Sequence, residues 1–146
     1  KEFDAIVLSL AGINMLNLGH EVQEVFTTEQ MLPAVGQGAI ALQCKKDDKK
    51  ILDILQKIND RETYFCIQAE RALLEAIGGD CDTAIGGLAK LSNEKIILKS
   101  ELFSDDGKKK FEFQSLGNFK EAKEIGYKVG EELLKKAGPD FTTQGK

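Results

Sequence analysis

Three thiols and one imidazole bear most directly on chemistry in this chain: Cys44, Cys66, Cys81 and His20. The thiolate is the nucleophilic and metal-binding form of cysteine, so a cysteine's neighbours decide its use. The three are widely spaced, no Cys-x-x-Cys pair occurs, and His20 has no cysteine near it in sequence. That pattern argues against a metal site and a disulfide framework, and it fits a reducing cytoplasm. Cys81 stands between Asp80 and Asp82, just beyond Gly78-Gly79. Acidic neighbours and a preceding helix C-terminus both disfavour a thiolate. Protease-like or redox cycling is therefore not expected there. A single capture of a strong electrophile needs little thiolate and leaves an inert thioether. Gln37 is the second candidate, because Gly36 and Gly38 on either side allow unusual backbone angles or close approach by a ligand. Turn chemistry explains that residue equally well. Cys66, on the apolar side of a helix, reads as packing, and so does Cys44.

The elements that must hold Cys81 are marked on both sides of it. Upstream, Asn59 with Glu62 three residues on has the form of a capping box. Phe65, Ala69, Ala72, Leu73, Ala76 and Ile77 then recur at helical spacing until Gly78-Gly79 ends the helix. Downstream, residues 84–91, 95–103 and 109–116 read as strands joined by short turns, an antiparallel meander. A last helix opens at Asn118 with Glu121 at the third position. It carries Ala122, Ile125, Val129, Leu133 and Ala137 on one face and stops at Gly138-Pro139. Residues 142–146 read as a frayed tail.

The first third reads differently. Residues 4–12 (DAIVLSLAG) form a continuous apolar run of the kind buried in parallel sheets. A helical turn is expected over 13–18, closed by Gly19. Residues 39–44 (AIALQC) read as another strand, and Asp47-Asp48 open a helix with Ile51, Leu55 and Ile58 on one face. A parallel strand needs partners joined by crossovers. With none before it and no initiating Met, the chain is expected to be a piece of a larger protein. The expected fold class is α+β: a C-terminal domain with a three-stranded antiparallel sheet packed by helices, preceded by partial α/β segments of two incomplete domains.

Composition removes other classes. The 146 residues carry 20 Lys and Arg against 24 Asp and Glu, a net charge of −4 with both signs interspersed. The densest basic run, Lys108-Lys109-Lys110, follows Asp105-Asp106-Gly107 and reads as a solvated turn, so no nucleic-acid partner is expected. The longest apolar run, residues 5–13, is broken by Ser9 and too short to span a bilayer. No secretion signal is visible. The expectations are no membrane partner and a cytoplasmic location.

Two segments resemble one family. Residues 32–39 (LPAVGQGA), followed by Cys44, closely resemble a segment of porphobilinogen deaminases. Ala69-Glu70-Arg71-Ala72, with Cys81 further on and then Ile85-Gly86, is similar to that family's AERA helix and glycine-flanked cofactor loop. The opening DAIVLSLAG and the Asn59–Glu62-Thr63 helix start also match, and the resemblance grows vague after Leu91. Where the family usually has Gly-Gly-Cys this chain has Gly79-Asp80-Cys81. Ala84 stands where Pro is common, and Lys45 where Arg is.

The resemblance implies a three-domain transferase that joins four porphobilinogen units with release of ammonia. It implies a dipyrromethane cofactor on Cys81 through a thioether, with porphobilinogen and the growing oligopyrrole as partners; Gln37 stands beside it as a candidate cofactor-binding or interdomain contact. Residues 1–38 would end the second domain, 39–57 would return to the first, and 58–146 would be the cofactor-anchoring domain. The catalytic carboxylate and most substrate-binding arginines would lie upstream of Lys1, leaving no catalytic residue in this chain. The whole enzyme would be monomeric, and this piece is expected to self-associate. Two other readings stand beside it: a small α+β interaction module with an incidental exposed cysteine, and a thiol-redox regulator.

Overall fold

The computed structural model describes residues 3–79, 83–139 and 141. They fall into two compact units, Lys1–Met31 and Leu32–Lys146. The first unit contains a short helix α1 (Leu10–Met15) and a single 3-10 turn, Gly19–Glu21, with no buried residue in either. The strand expected over residues 4–12 is absent, and Leu10 to Gly12 lie inside α1. An apolar run specifies burial but cannot supply the neighbouring strand its N–H and C=O groups require. The helical turn expected over 13–18 starts earlier, at Leu10, and Gly19 opens the 3-10 turn rather than closing a helix.

In the second unit, residues 39–44 are likewise not a strand, and Ile40 is 92% exposed. Helix α2 (Lys49–Ile58) begins where Asp48 accepts a hydrogen bond from the Ile51 N–H at 3.1 Å. Its half-buried residues are Leu52 and Leu55, whereas Ile51 and Ile58 are exposed.

Helix α3 (Arg61–Ile77) is capped by Asp60, not Asn59. The Asp60 carboxylate accepts from the Thr63 N–H at 2.7 Å, and Asn59 instead closes α2. Both residue types cap well, so the sequence left two adjacent choices. Gly78 ends α3 in the left-handed region at φ 69°, where glycine carries no Cβ penalty. The sheet follows in the order β1 (Ile85–Ser92), β2 (Lys95–Phe103), β3 (Lys110–Asn118), antiparallel throughout. The expected strand ends shift by one or two residues in β1 and β3. Asn118 accepts from the Lys120 N–H at 3.0 Å and opens a 3-10 turn that leads into α4 (Ala122–Ala137).

Alternation in β2 sends Ile96, Leu98, Ser100 and Leu102 to one buried face. Helices α3 and α4 cover that face with Ala69, Leu73, Ile125, Val129 and Leu133. Each fully buried aliphatic side chain there contributes about 1.5–3 kcal/mol. Small residues let the two helices approach closely: a Cβ on Gly130 would come within 2.5 Å of the Ala76 Cβ. The expected α+β architecture is the one found.

Candidate functional site

Cys81, with Asp80 and Asp82, lies outside the described residues. What the structure describes is the base of its loop. Gly79 and Thr83 are the two feet, and a Cβ placed on Gly79 would stand 3.0 Å from the Thr83 Oγ1 and 2.8 Å from Leu74 Cδ1. The chain therefore leaves α3 and re-enters toward β1 at nearly one point. A side chain at the first foot would crowd Leu74 and Thr83, so space favours glycine there. The Thr83 carbonyl then accepts from the Ile85 N–H at 2.8 Å.

Strand β1, which leads out of this loop, is an edge strand, and its outward N–H groups need partners. Each finds one outside the sheet. The Gly87 N–H donates to the Pro33 carbonyl at 2.9 Å, and the Ala89 N–H to Glu70 Oε1 at 2.8 Å. The Leu91 N–H faces the Cys66 sulfur. Residues 32–38 lie along this edge in place of a fourth strand. Gly86 and Gly87 make room for them: a Cβ on Gly87 would come within 2.7 Å of Val35 Cγ1, and one on Gly86 within 2.9 Å of Leu32 Cβ.

Glu70 binds the arrangement together. It is 4% exposed, and its second oxygen, Oε2, accepts from the Gly36 N–H at 2.7 Å. Burial pushes its carboxyl above the ordinary value, and the N–H groups of Ala89 and Gly36 pull it part of the way back. Gly36 adopts φ +74° in the turn over 35–38, which presents Gln37 to solvent. Gln37 donates only its backbone N–H locally, to the Ala34 carbonyl at 3.1 Å.

The other cysteines are half-buried and free. Burial pushes the Cys66 thiol up, and the nearby Glu70 charge pushes it further, so this thiol is poorly suited to act as a nucleophile. Cys66 packs against the core, as its helical position suggested. His20 lies 3.3 Å from Glu21 on the surface. Among the described residues, no group of three or more His, Cys, Asp or Glu could hold a metal ion. No described helix is long and apolar enough to cross a membrane.

The sequence brought Gln37 and the loop glycines to notice but missed Glu70. The signal was present: a carboxylate stands between Ala69 and Leu73 on the helix stripe destined for the core. A charge in that place needs buried donors.

Fold and site together define a class: a small α+β domain in which a glycine turn is clipped to an edge strand, with Cys81 standing in sequence between a helix and that strand. Comparison with known proteins agrees. Residues 1–53 match the family model described as "Porphobilinogen deaminase, dipyromethane cofactor binding domain", and residues 64–135 match "Porphobilinogen deaminase, C-terminal domain". A porphobilinogen deaminase of Coxiella burnetii (strain CbuG_Q212) is 39% identical over 136 residues, 93% of this chain and 44% of that protein. One of Nitrobacter hamburgensis is 37% identical over 142 residues, covering 97% of this chain and 45% of the relative. One of Prochlorococcus marinus (strain AS9601) is 33% identical over 143 residues, 98% and 45%. The chain belongs to the porphobilinogen deaminase family, a family of transferases, and spans less than half the length of these curated relatives. An interaction module with an incidental cysteine is not favoured by these matches.

Proposed function

We propose that this chain is the cofactor-carrying part of a hydroxymethylbilane synthase, which joins four porphobilinogen molecules into hydroxymethylbilane with release of ammonia. Its task is to hold a dipyrromethane through a thioether at Cys81. In the same reading, residues 1–38 end the second domain, 39–57 return to the first, and 58–146 form the anchoring domain. The supporting observation is the bonding of both family-like segments to one strand. The turn at Gly36 and the helix bearing Glu70 are fastened to β1, into which the Cys81 loop runs.

The residues present fit such a group. Gly79 and Thr83, on either side of residues 80–82 in sequence, lie close together and would give the anchor a fixed base. Attachment at Cys81 would form one C–S bond to a pyrrole methylene carbon, the leaving group departing with the thiol proton as ammonia from an aminomethylpyrrole or as water from a hydroxymethyl one. No oxidant or reductant enters. When bound, the dipyrromethane supplies the free pyrrole carbon at which further units add. Gln37, exposed on its glycine turn, is proposed to contact it. The carboxylate and arginines that act on each incoming unit are proposed to lie outside this chain, so this chain alone is proposed not to turn over. The whole enzyme is proposed to be a cytoplasmic monomer.

The test is porphobilinogen consumption by the whole enzyme carrying Cys81→Ala, Cys66→Ala or Cys44→Ala. Only Cys81→Ala should abolish turnover. Full activity in that variant would refute the anchor.

A further inference from the structure

We infer that Glu70 is a positioning residue whose carboxylate clips the Gln37-bearing turn to the edge of β1, and that the clip needs two acceptor oxygens. Both groups that meet Glu70 are N–H donors, Ala89 on Oε1 at 2.8 Å and Gly36 on Oε2 at 2.7 Å. An ionised carboxylate accepts at both oxygens, whereas a carboxamide of the same shape accepts at one end and donates at the other. Glu70→Gln therefore keeps one bond and sets two donors against each other at the other. Ala89 is buried within the sheet and cannot withdraw, while the turn at Gly36 is held at that point by Glu70 and can. The turn is the end that lets go.

Release at Gly36 spares the buried centre of the core, where Leu73, Ile96, Leu98 and Val129 pack; Val35, next to Gly36, touches only its margin. What changes is the placing of Gln37 relative to β1. The consequence for the cofactor site rests on the reading proposed above, but the clip itself does not.

The clip is tested by amide hydrogen exchange on this chain. In the wild type, the Gly36 N–H should exchange far more slowly than its intrinsic rate. In Glu70→Gln it should speed up by at least about tenfold, the loss of one charged hydrogen bond, while Ala89 and the β2 amides keep their protection. In Glu70→Ala both Gly36 and Ala89 should speed up. Unprotected Gly36 in the wild type overturns the clip with no variant needed. Equal protection of Gly36 in wild type and Glu70→Gln overturns it as well.

The positioning role is tested in the whole enzyme. Glu70→Gln should retain the pyrrole mass on Cys81 and lose turnover by about tenfold, through kcat rather than KM. Unchanged kcat with a freed Gly36 would overturn the positioning role. A wild-type enzyme without pyrrole on Cys81 would instead overturn the function proposed above and leave the exchange result standing.

Discussion

A carboxylate enters the core of this domain because two backbone N–H groups face it there. Glu70 shows how a buried charge is held: each oxygen has a donor, yet loss of water still outweighs the two bonds and raises its pKa. A raised carboxyl pKa means that the native chain binds this proton more tightly than the unfolded chain. Its contribution to stability is then fully present below the unfolded value and is lost as pH rises through the folded value. Urea-unfolding free energies measured from pH 4 upward should fall through that window, and Glu70→Gln should flatten the fall. Burial and the nearby Glu70 charge push the Cys66 thiol up as well. Glu70's place in the core could have been read from the sequence, since it interrupts an apolar stripe. Its partners could not. Gly36 lies 34 residues away, and no local pattern announces a bond across that distance.

At the scale of elements, the domain depends on how closely α4 approaches α3. Gly126 lies against Ala69 and Ala72, and an added Cβ would overlap the Ala69 carbonyl oxygen and stand 2.6 Å from the Ala72 Cβ. Gly126→Ala gains about 1 kcal/mol of helix propensity, but overpacking should make it a net loss of about 1–3 kcal/mol. Lys128→Ala, on the exposed side of the same helix, should stay within about 0.5 kcal/mol. Leu73→Ala removes a fully buried side chain and should cost about 2–5 kcal/mol. Urea midpoints at constant slope check all three. α3, α4 and the three strands were legible because each carries its own period and its own stop signals. Asp60 displaced Asn59 as the cap because two capping residues stood side by side. The apolar runs at 4–12 and 39–44 misled because they show what must be buried without showing what buries it. A strand is defined by its neighbour, and neither run has a strand partner among the described residues.

The whole molecule presents much apolar surface. In the first unit Phe3, Ile6, Val7 and Met15 are each more than 60% exposed, and in the second Ile40 and Ile58 are. Large apolar side chains left exposed in such number favour association. The runs at 5–10 and 39–44 were expected to associate through open strand edges and faces; neither is a strand, which leaves exposed apolar side chains as the cause. Light scattering of this chain should therefore show association that grows with concentration. Ile40→Ser and Ile58→Ser together should reduce it without lowering the unfolding midpoint. A strictly monomeric chain at high concentration would contradict that expectation.

The most direct measurement on the central claim is the mass of each cysteine-bearing peptide. The whole enzyme would be incubated with hydroxymethylbilane, digested and mapped. A pyrrole increment confined to the peptide containing Cys81, with Cys44 and Cys66 unmodified, is the predicted result. An increment on Cys44 or Cys66, or none on any of the three, would contradict the account.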